Sequence, residues 1–120
     1  MISTKARVPR QSIPYILKKG NSYHSELFII RHTKNDGHNS RYRVIISKKL
    51  LREAVDRNKL RRQVYEAIRK NDKESAKQGQ DIILIPKKNI LTRNYQQIEE
   101  DIKKNVLNKS HGQPEPNKQS

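Results

Sequence analysis

The chain has 120 residues, with 27 Lys or Arg against 12 Asp or Glu, a formal net charge of +15. Only 32% of residues are apolar and 5% aromatic, which fits one small domain and excludes a large pocket walled by aromatics. Cysteine is absent, the opening MISTKARVPR lacks the apolar stretch of a secretory signal, and no apolar run approaches the ~20 residues of a membrane span; disulfides, thiol catalysis and Cys-ligated zinc are thereby excluded, and a reducing cytoplasm is the expected setting.

In chain order, residues 1–10 read as a flexible basic arm, ahead of a single domain over 11–107. Ser12 is placed to cap a short helix to about Lys19, with Pro14 in its first turn and Gly20 ending it. Ile13, Ile16 and Leu17, spaced i, i+3 and i+4, make its apolar stripe. Residues 23–33 read as a strand centred on Leu27-Phe28-Ile29-Ile30. Turn residues over 35–40 then return the chain as a second strand, 41–47, and the two are expected to pair as a hairpin.

Residues 53 to about 71 form the strongest helix pattern. Leu60, Val64, Ala67 and Ile68 fall at i, i+4, i+7 and i+8, one buried stripe. Asn58, Arg61, Arg62, Tyr65 and Arg69 occupy a different arc of the same helix. A loop over 75–80 leads to the apolar strand 81–85, expected to be central and stopped by Pro86. Thr92 is a candidate N-cap for a last helix that turns Tyr95, Ile98, Ile102 and Val106 inward. Residues 108–120 contain no apolar side chain and read as a disordered tail. The order α-β-β-α-β-α describes an α+β sandwich, helices against a small sheet.

The positive charge is concentrated. Residues 1–24 hold five bases and no acid, and residues 41–70 hold eleven bases against three acids, while 25–40 are neutral. Diffuse solubilising charge would not cluster so; a phosphate backbone selects for it, because each neutralised phosphate releases a condensed counterion. Arg57 sits near a helix start, where the macrodipole disfavours cations, and three more bases follow within five residues. Like charges at i, i+4 add repulsion, which a partner outside the chain would offset. Arginine suits this role, since its planar fork grips phosphate in bidentate fashion and stacks on bases. Asn58 adds an amide able to donate and accept.

The pieces YILKKG (15–20), ELFIIRH (26–32), SKK (47–49), AVDRNKLRR (54–62), DIILIP (81–86) and a closing helix at 92–107 resemble, in order and spacing, the protein subunit of bacterial ribonuclease P. The resemblance implies an α/β sandwich with a left-handed β-α-β crossover, an exception to the usual hand. It implies as partners a large catalytic RNA and precursor tRNA, from which the RNA cleaves the 5′ leader with magnesium held mainly by RNA, the protein being monomeric outside the complex. By position, Arg57, Asn58, Lys59, Arg61 and Arg62 would face RNA, bordered by Ser47, Lys48 and Lys49, with Tyr65 and Arg69 further along the arc. Ile13, Leu17, Ile29, Arg31 and Ile45 would line a cleft for the leader.

This chain departs from the family pattern at several points. Ile13, Leu17 and Arg31 stand where aromatics are favoured, Arg43 where glycine is usual, and Tyr65 in place of a customary arginine. The interval from Lys49 to Arg57 is one residue longer. Read from residue type alone, Ile13, Leu17, Ile29 and Ile45 suit a plain core better than a cleft, because isolated aliphatics usually fill interiors, and Tyr65 also suits covering the edge of the sheet. His24, His32, His38 and His111 show no metal-ligand spacing. Glu99, Glu100 and Asp101 are consecutive and share no helix face, so no catalytic site within the protein is expected. The competing functional readings are a structural RNA-binding protein of ribosomal type and, more distantly, an independent nuclease or a DNA-binding protein.

Overall fold

The computed structural model describes residues 7–35, 40–71 and 79–107. Its elements are helix α1 (Ile13–Lys19), strands β1 (Asn21–His24), β2 (Phe28–Lys34) and β3 (Arg41–Val44), helix α2 (Ala54–Asn71), strand β4 (Gln80–Pro86) and helix α3 (Tyr95–Ile102). Turns of 3-10 helix over Arg10–Ser12 and Lys88–Thr92 precede α1 and α3, and a π-turn over Lys103–Leu107 extends α3.

The strands form one sheet in the order β1-β2-β4-β3. β4 runs antiparallel to β2, with Arg31 opposite Ile83, and parallel to β3, with Arg43 opposite Ile83. The parallel pair joined through α2 is a β-α-β unit. β4 is apolar on both faces and so needs cover on both sides. On one face Phe28, Ile30, Tyr42, Val44, Ile82 and Leu84 pack beneath Leu60, Val64, Ala67 and Ile68 of α2 and Ile98 and Ile102 of α3. On the other, Ile83 is buried with Val8 and Ile16, flanked by Ile13, Leu17, Ile45 and Ile85. At ~1.5–3 kcal/mol per buried aliphatic side chain, the first face carries most of the stability.

Several sequence expectations change. The strand expected over 23–33 is two strands, because Ser25 turns the chain: its amide donates to the Phe28 carbonyl at 2.9 Å and its Oγ accepts from the Phe28 amide at 3.0 Å. The hairpin between the two expected strands does not form. β4 enters between β2 and β3, leaving the charged β3, with Arg41 and Arg43, at the sheet edge. The arm expected over 1–10 is docked from Arg7 onward: Arg7 bridges to Tyr42, and the Val8 amide donates to the Tyr42 carbonyl at 3.0 Å while its side chain is fully buried. Residues 1–6, the centre of the 35–40 turn, most of the 75–80 loop and the tail from 108 lie outside the described residues.

Helix ends also differ. Ser12 makes no side-chain cap. The last helix is capped by Asn94, not Thr92, through a capping box in which Asn94 Oδ1 accepts from the Gln97 amide at 2.9 Å and Gln97 Oε1 accepts from the Asn94 amide at 3.0 Å. Gly20 ends α1 as expected, yet for a packing reason. A Cβ there would lie 2.5 Å from the Ile16 carbonyl oxygen and 2.9 Å from that of His32, so glycine is what lets α1 close onto β2.

β2 also brings His32 into the core. It is 6% exposed, its Nδ1 lies 3.3 Å from Gln80 Oε1, and its ring meets Tyr23 edge-on at 5.6 Å. Burial holds its pKa below the ordinary 6.5, against a smaller upward pull from Gln80. The unfolded chain therefore binds the proton more readily, so this contribution to stability is intact above pH 6.5 and lost as pH falls below it. Melting temperature should decline between about pH 7 and 5, and His32→Gln should flatten that decline. Parallel declines in both proteins would show that His32 is not its source.

Candidate RNA-binding surface

The link from β3 to α2 places the first group of candidate residues. Ser47, Lys48 and Lys49 are exposed in a turn closed by the Leu50 and Leu51 amides, both donating to the Ser47 carbonyl at 3.2 Å. Arg57 folds back on this turn: its Nη1 donates to the Leu51 carbonyl at 2.9 Å and to the Arg52 carbonyl at 2.7 Å. Those carbonyls offset part of the cost of a cation near the start of α2, so the chain itself supplies some of the compensation that the sequence left to a partner. Arg57 as a whole is half-buried.

One turn on, Arg61 Nη1 donates to Asn58 Oδ1 at 2.7 Å. This occupies the amide oxygen of exposed Asn58. Lys59 and Arg62 are exposed, and Arg61 is half-buried on the flank of α2. Arg69 is exposed and ion-paired with Glu66 one turn before it, so its charge is already partly answered. Val55, 76% exposed at the start of α2, puts an apolar side chain among these bases.

Tyr65 is corrected. It is 1% exposed, and its hydroxyl accepts from the Val44 amide at 3.1 Å, tying α2 to β3. A buried ring with a satisfied hydroxyl offers no face to RNA; the reading as cover for the sheet edge holds. The Arg7 guanidinium lies over this ring, 5.4 Å from its centre, which brings a cation from the N-terminal segment to the flank that carries Arg61. The sequence alone places Arg7 only within a basic arm over 1–10. The signal in the sequence was Val8 beside it, a lone apolar residue in a basic stretch.

The second group lies on the opposite face of the sheet. Ile13 and Leu17 of α1 sit above a row formed by Ile29, Ile85 and Ile45, all half-buried. In the adjacent row stand Arg31, Ile83 and Arg43. Arg31 donates through Nη2 to the Leu17 carbonyl, which ties β2 to the end of α1. The five expected cleft residues are thus brought together, neither sealed in a core nor free, and Arg43 joins them. The two groups meet around the edge strand β3, where Ile45 of the cleft is two residues from Ser47.

Several acidic side chains are committed elsewhere, although Glu53 and Asp56 stand exposed at the start of α2. Asp81 is held by Arg41 through Nε and Nη2, each at 2.8 Å, and by Asn35. Glu26 pairs with Arg93 at 2.8 Å, and Glu99 with Lys70 at 3.9 Å. Asp101 accepts from Ser25 Oγ at 2.7 Å and Asn105 Nδ2 at 2.8 Å. Among the described residues, Lys48, Lys49, Lys59, Arg61, Arg62, Arg31 and Arg43 have no ion-pair partner.

The family model for ribonuclease P matches residues 7–110. The chain belongs to the ribonuclease P protein family. It is 34% identical over 90 residues to the ribonuclease P protein component of Thermotoga petrophila, covering 75% of this chain and 74% of that one. Against the corresponding protein of Clostridioides difficile it is 33% identical over 88 residues, covering 73% and 76%. The solved ribonuclease P protein of Thermotoga maritima superposes with a TM-score of 0.75 at 31% identity, over 84% of this chain and 94% of that chain. A mutant Staphylococcus aureus ribonuclease P protein, defective in mRNA degradation activity, gives 0.74 at 25% identity over 83% and 84%. The α+β class and the helix-on-sheet layout are therefore those of ribonuclease P proteins.

Replacing Arg57, Arg61 and Arg62 by Ala should weaken binding to a structured RNA. It should also lower the slope of log K against log salt by about 2 to 3, from three contacts of ~0.7–0.9 each. Because Arg57 also holds the 47–52 turn, the Arg61→Ala/Arg62→Ala pair should lose about two contacts' worth with an unchanged melting curve. A wild-type salt slope in the triple variant would contradict the assignment.

Proposed function

We propose that this ribonuclease P protein works by joining two RNA surfaces. The turn at 47–49 and the exposed arc of α2 contact the catalytic RNA, and the cleft between α1 and the sheet holds the 5′ leader of precursor tRNA. The observation that carries this reading is the continuity of the two surfaces around β3, both supplied with cations that lack acidic partners among the described residues. In this reading the protein supplies position and charge neutralisation, fixing the leader relative to the RNA that cleaves it. The assembly acts as an endoribonuclease in the cytoplasm.

No chemical step is assigned to a protein side chain. Among the described residues no three His, Asp or Glu side chains converge on a metal position. In our reading magnesium is held by RNA phosphates, where an octahedral ion keeps most of its waters. No helix among the described residues is long and apolar enough to cross a membrane.

Reconstitution tests the proposal. The purified chain is mixed with the ribonuclease P RNA of its own source at low magnesium, and cleavage of a precursor tRNA is followed, with protein-only and RNA-only reactions alongside. Cleavage strongly dependent on both components is the expected result. Tight RNA binding with no effect on cleavage would favour a structural role of ribosomal type.

A further inference from the structure

The cleft under α1 contains a charge arrangement that packing does not explain. Arg31 of β2 and Arg43 of β3 both lie opposite Ile83 in the register of the sheet, so the two guanidinium groups stand on one face, on either side of a fully buried isoleucine. Two strand spacings put their Cα atoms about 10 Å apart. Both side chains are half-buried, and the Nε of each is buried without a hydrogen-bond partner. Arg31 donates to the neutral Leu17 carbonyl. The nearest acid in the sheet, Asp81, is saturated by Arg41 and Asn35.

Two like charges, partly desolvated over an apolar floor and lacking a counter-charge among the described residues, destabilise the free protein. An anion between them reverses that cost, and a guanidinium fork fits the paired oxygens of a phosphate better than any other side chain. The surrounding Ile13, Leu17, Ile29, Ile45 and Ile85 present aliphatic walls, and the exposed His24, opposite Ile29, stands at the end of their row. Aliphatic walls with a cationic floor suit a backbone phosphate more than a base edge.

We infer that Arg31 and Arg43 form a two-arginine clamp on a phosphodiester of single-stranded RNA, so that this cleft holds its strand through backbone charge. The inference rests on the proposed role of the cleft as the leader site and names what that site reads. Neither arginine is a catalytic residue; both determine how substrate is held.

The test uses the complete protein assembled with its ribonuclease P RNA, and compares affinity for precursor tRNA with affinity for mature tRNA across a salt series. Arg31→Gln/Arg43→Gln should lower precursor affinity roughly tenfold, the scale of losing charged hydrogen bonds. The precursor-specific salt slope should fall by about 0.7, from the one single-strand phosphate that the clamp neutralises. Arg31→Lys/Arg43→Lys keeps the charges and should retain the slope, which separates charge from a structural role of the Arg31–Leu17 contact. A precursor whose leader carries neutral methylphosphonate linkages should bind the wild type and the Gln variant equally. If wild-type protein gives precursor no advantage over mature tRNA, the leader-site reading fails and the clamp with it. If that advantage is present but the Gln variant keeps the wild-type slope, the clamp alone is overturned.

Discussion

Strand β4 sends Ile82 and Leu84 to one face of the sheet and Ile83 to the other, each fully buried. A strand apolar on both faces is stable only when both are covered and both edges are paired. This requirement places β4 between β2 and β3, draws α2 and α3 over the first face, and brings the N-terminal segment and α1 over the second. The parallel pairing of β3 with β4 then requires a crossover, and α2 is that crossover. The two RNA surfaces inherit their places from this: one on the outer arc of the crossover helix, the other beneath α1, with β3 as the edge between them.

Charge is sorted along the same lines. The ion pairs Glu26–Arg93, Glu66–Arg69 and Glu99–Lys70 lie on α2, α3 and the β1–β2 turn, and Asp81 is answered by Arg41. Most of these pairs are partly or largely exposed and contribute little to stability individually. Their larger effect is to leave the turn at 47–49, the first half of α2 and the floor of the cleft strongly positive. Such a surface attracts a polyanion over a Debye length and releases counterions on contact. Arg57 shows how the fold tolerates the arrangement, since the Leu51 and Arg52 carbonyls take up its donors at the start of α2.

Much of this was legible in the residues. The buried stripe of α2 and the inward set Ile98, Ile102 and Val106 follow from periodicity, because burial of one face imposes it, and the central position of strand 81–85 follows from its unbroken apolar run. Pairing was less legible. A polar link at 35–40 suggests a hairpin locally, but nothing local reveals that β4, 40 residues on, binds both strands better. Tyr65 was misplaced because its helical angle borders the stripe, and only the Val44 amide across the interface decides which way the ring turns. Thr92 and Asn94 are both good caps by type, and the Gln97 partner selects Asn94. The cleft was legible only through the family resemblance, since its aliphatic residues read by type more readily as core. Arg43 gains its meaning from the register opposite Ile83.

The central claim is that α2 faces one RNA and the α1 cleft another strand. The chain lacks cysteine, so a single introduced thiol can carry a photo-crosslinker to one place. In the assembled complex with precursor tRNA bound, a crosslinker at Val55→Cys should attach to the catalytic RNA, and one at Leu17→Cys to the 5′ leader. Replacing precursor with mature tRNA should abolish the second product and keep the first. Crosslinks from both positions to the same RNA, or a Leu17→Cys product that persists with mature tRNA, would contradict the account.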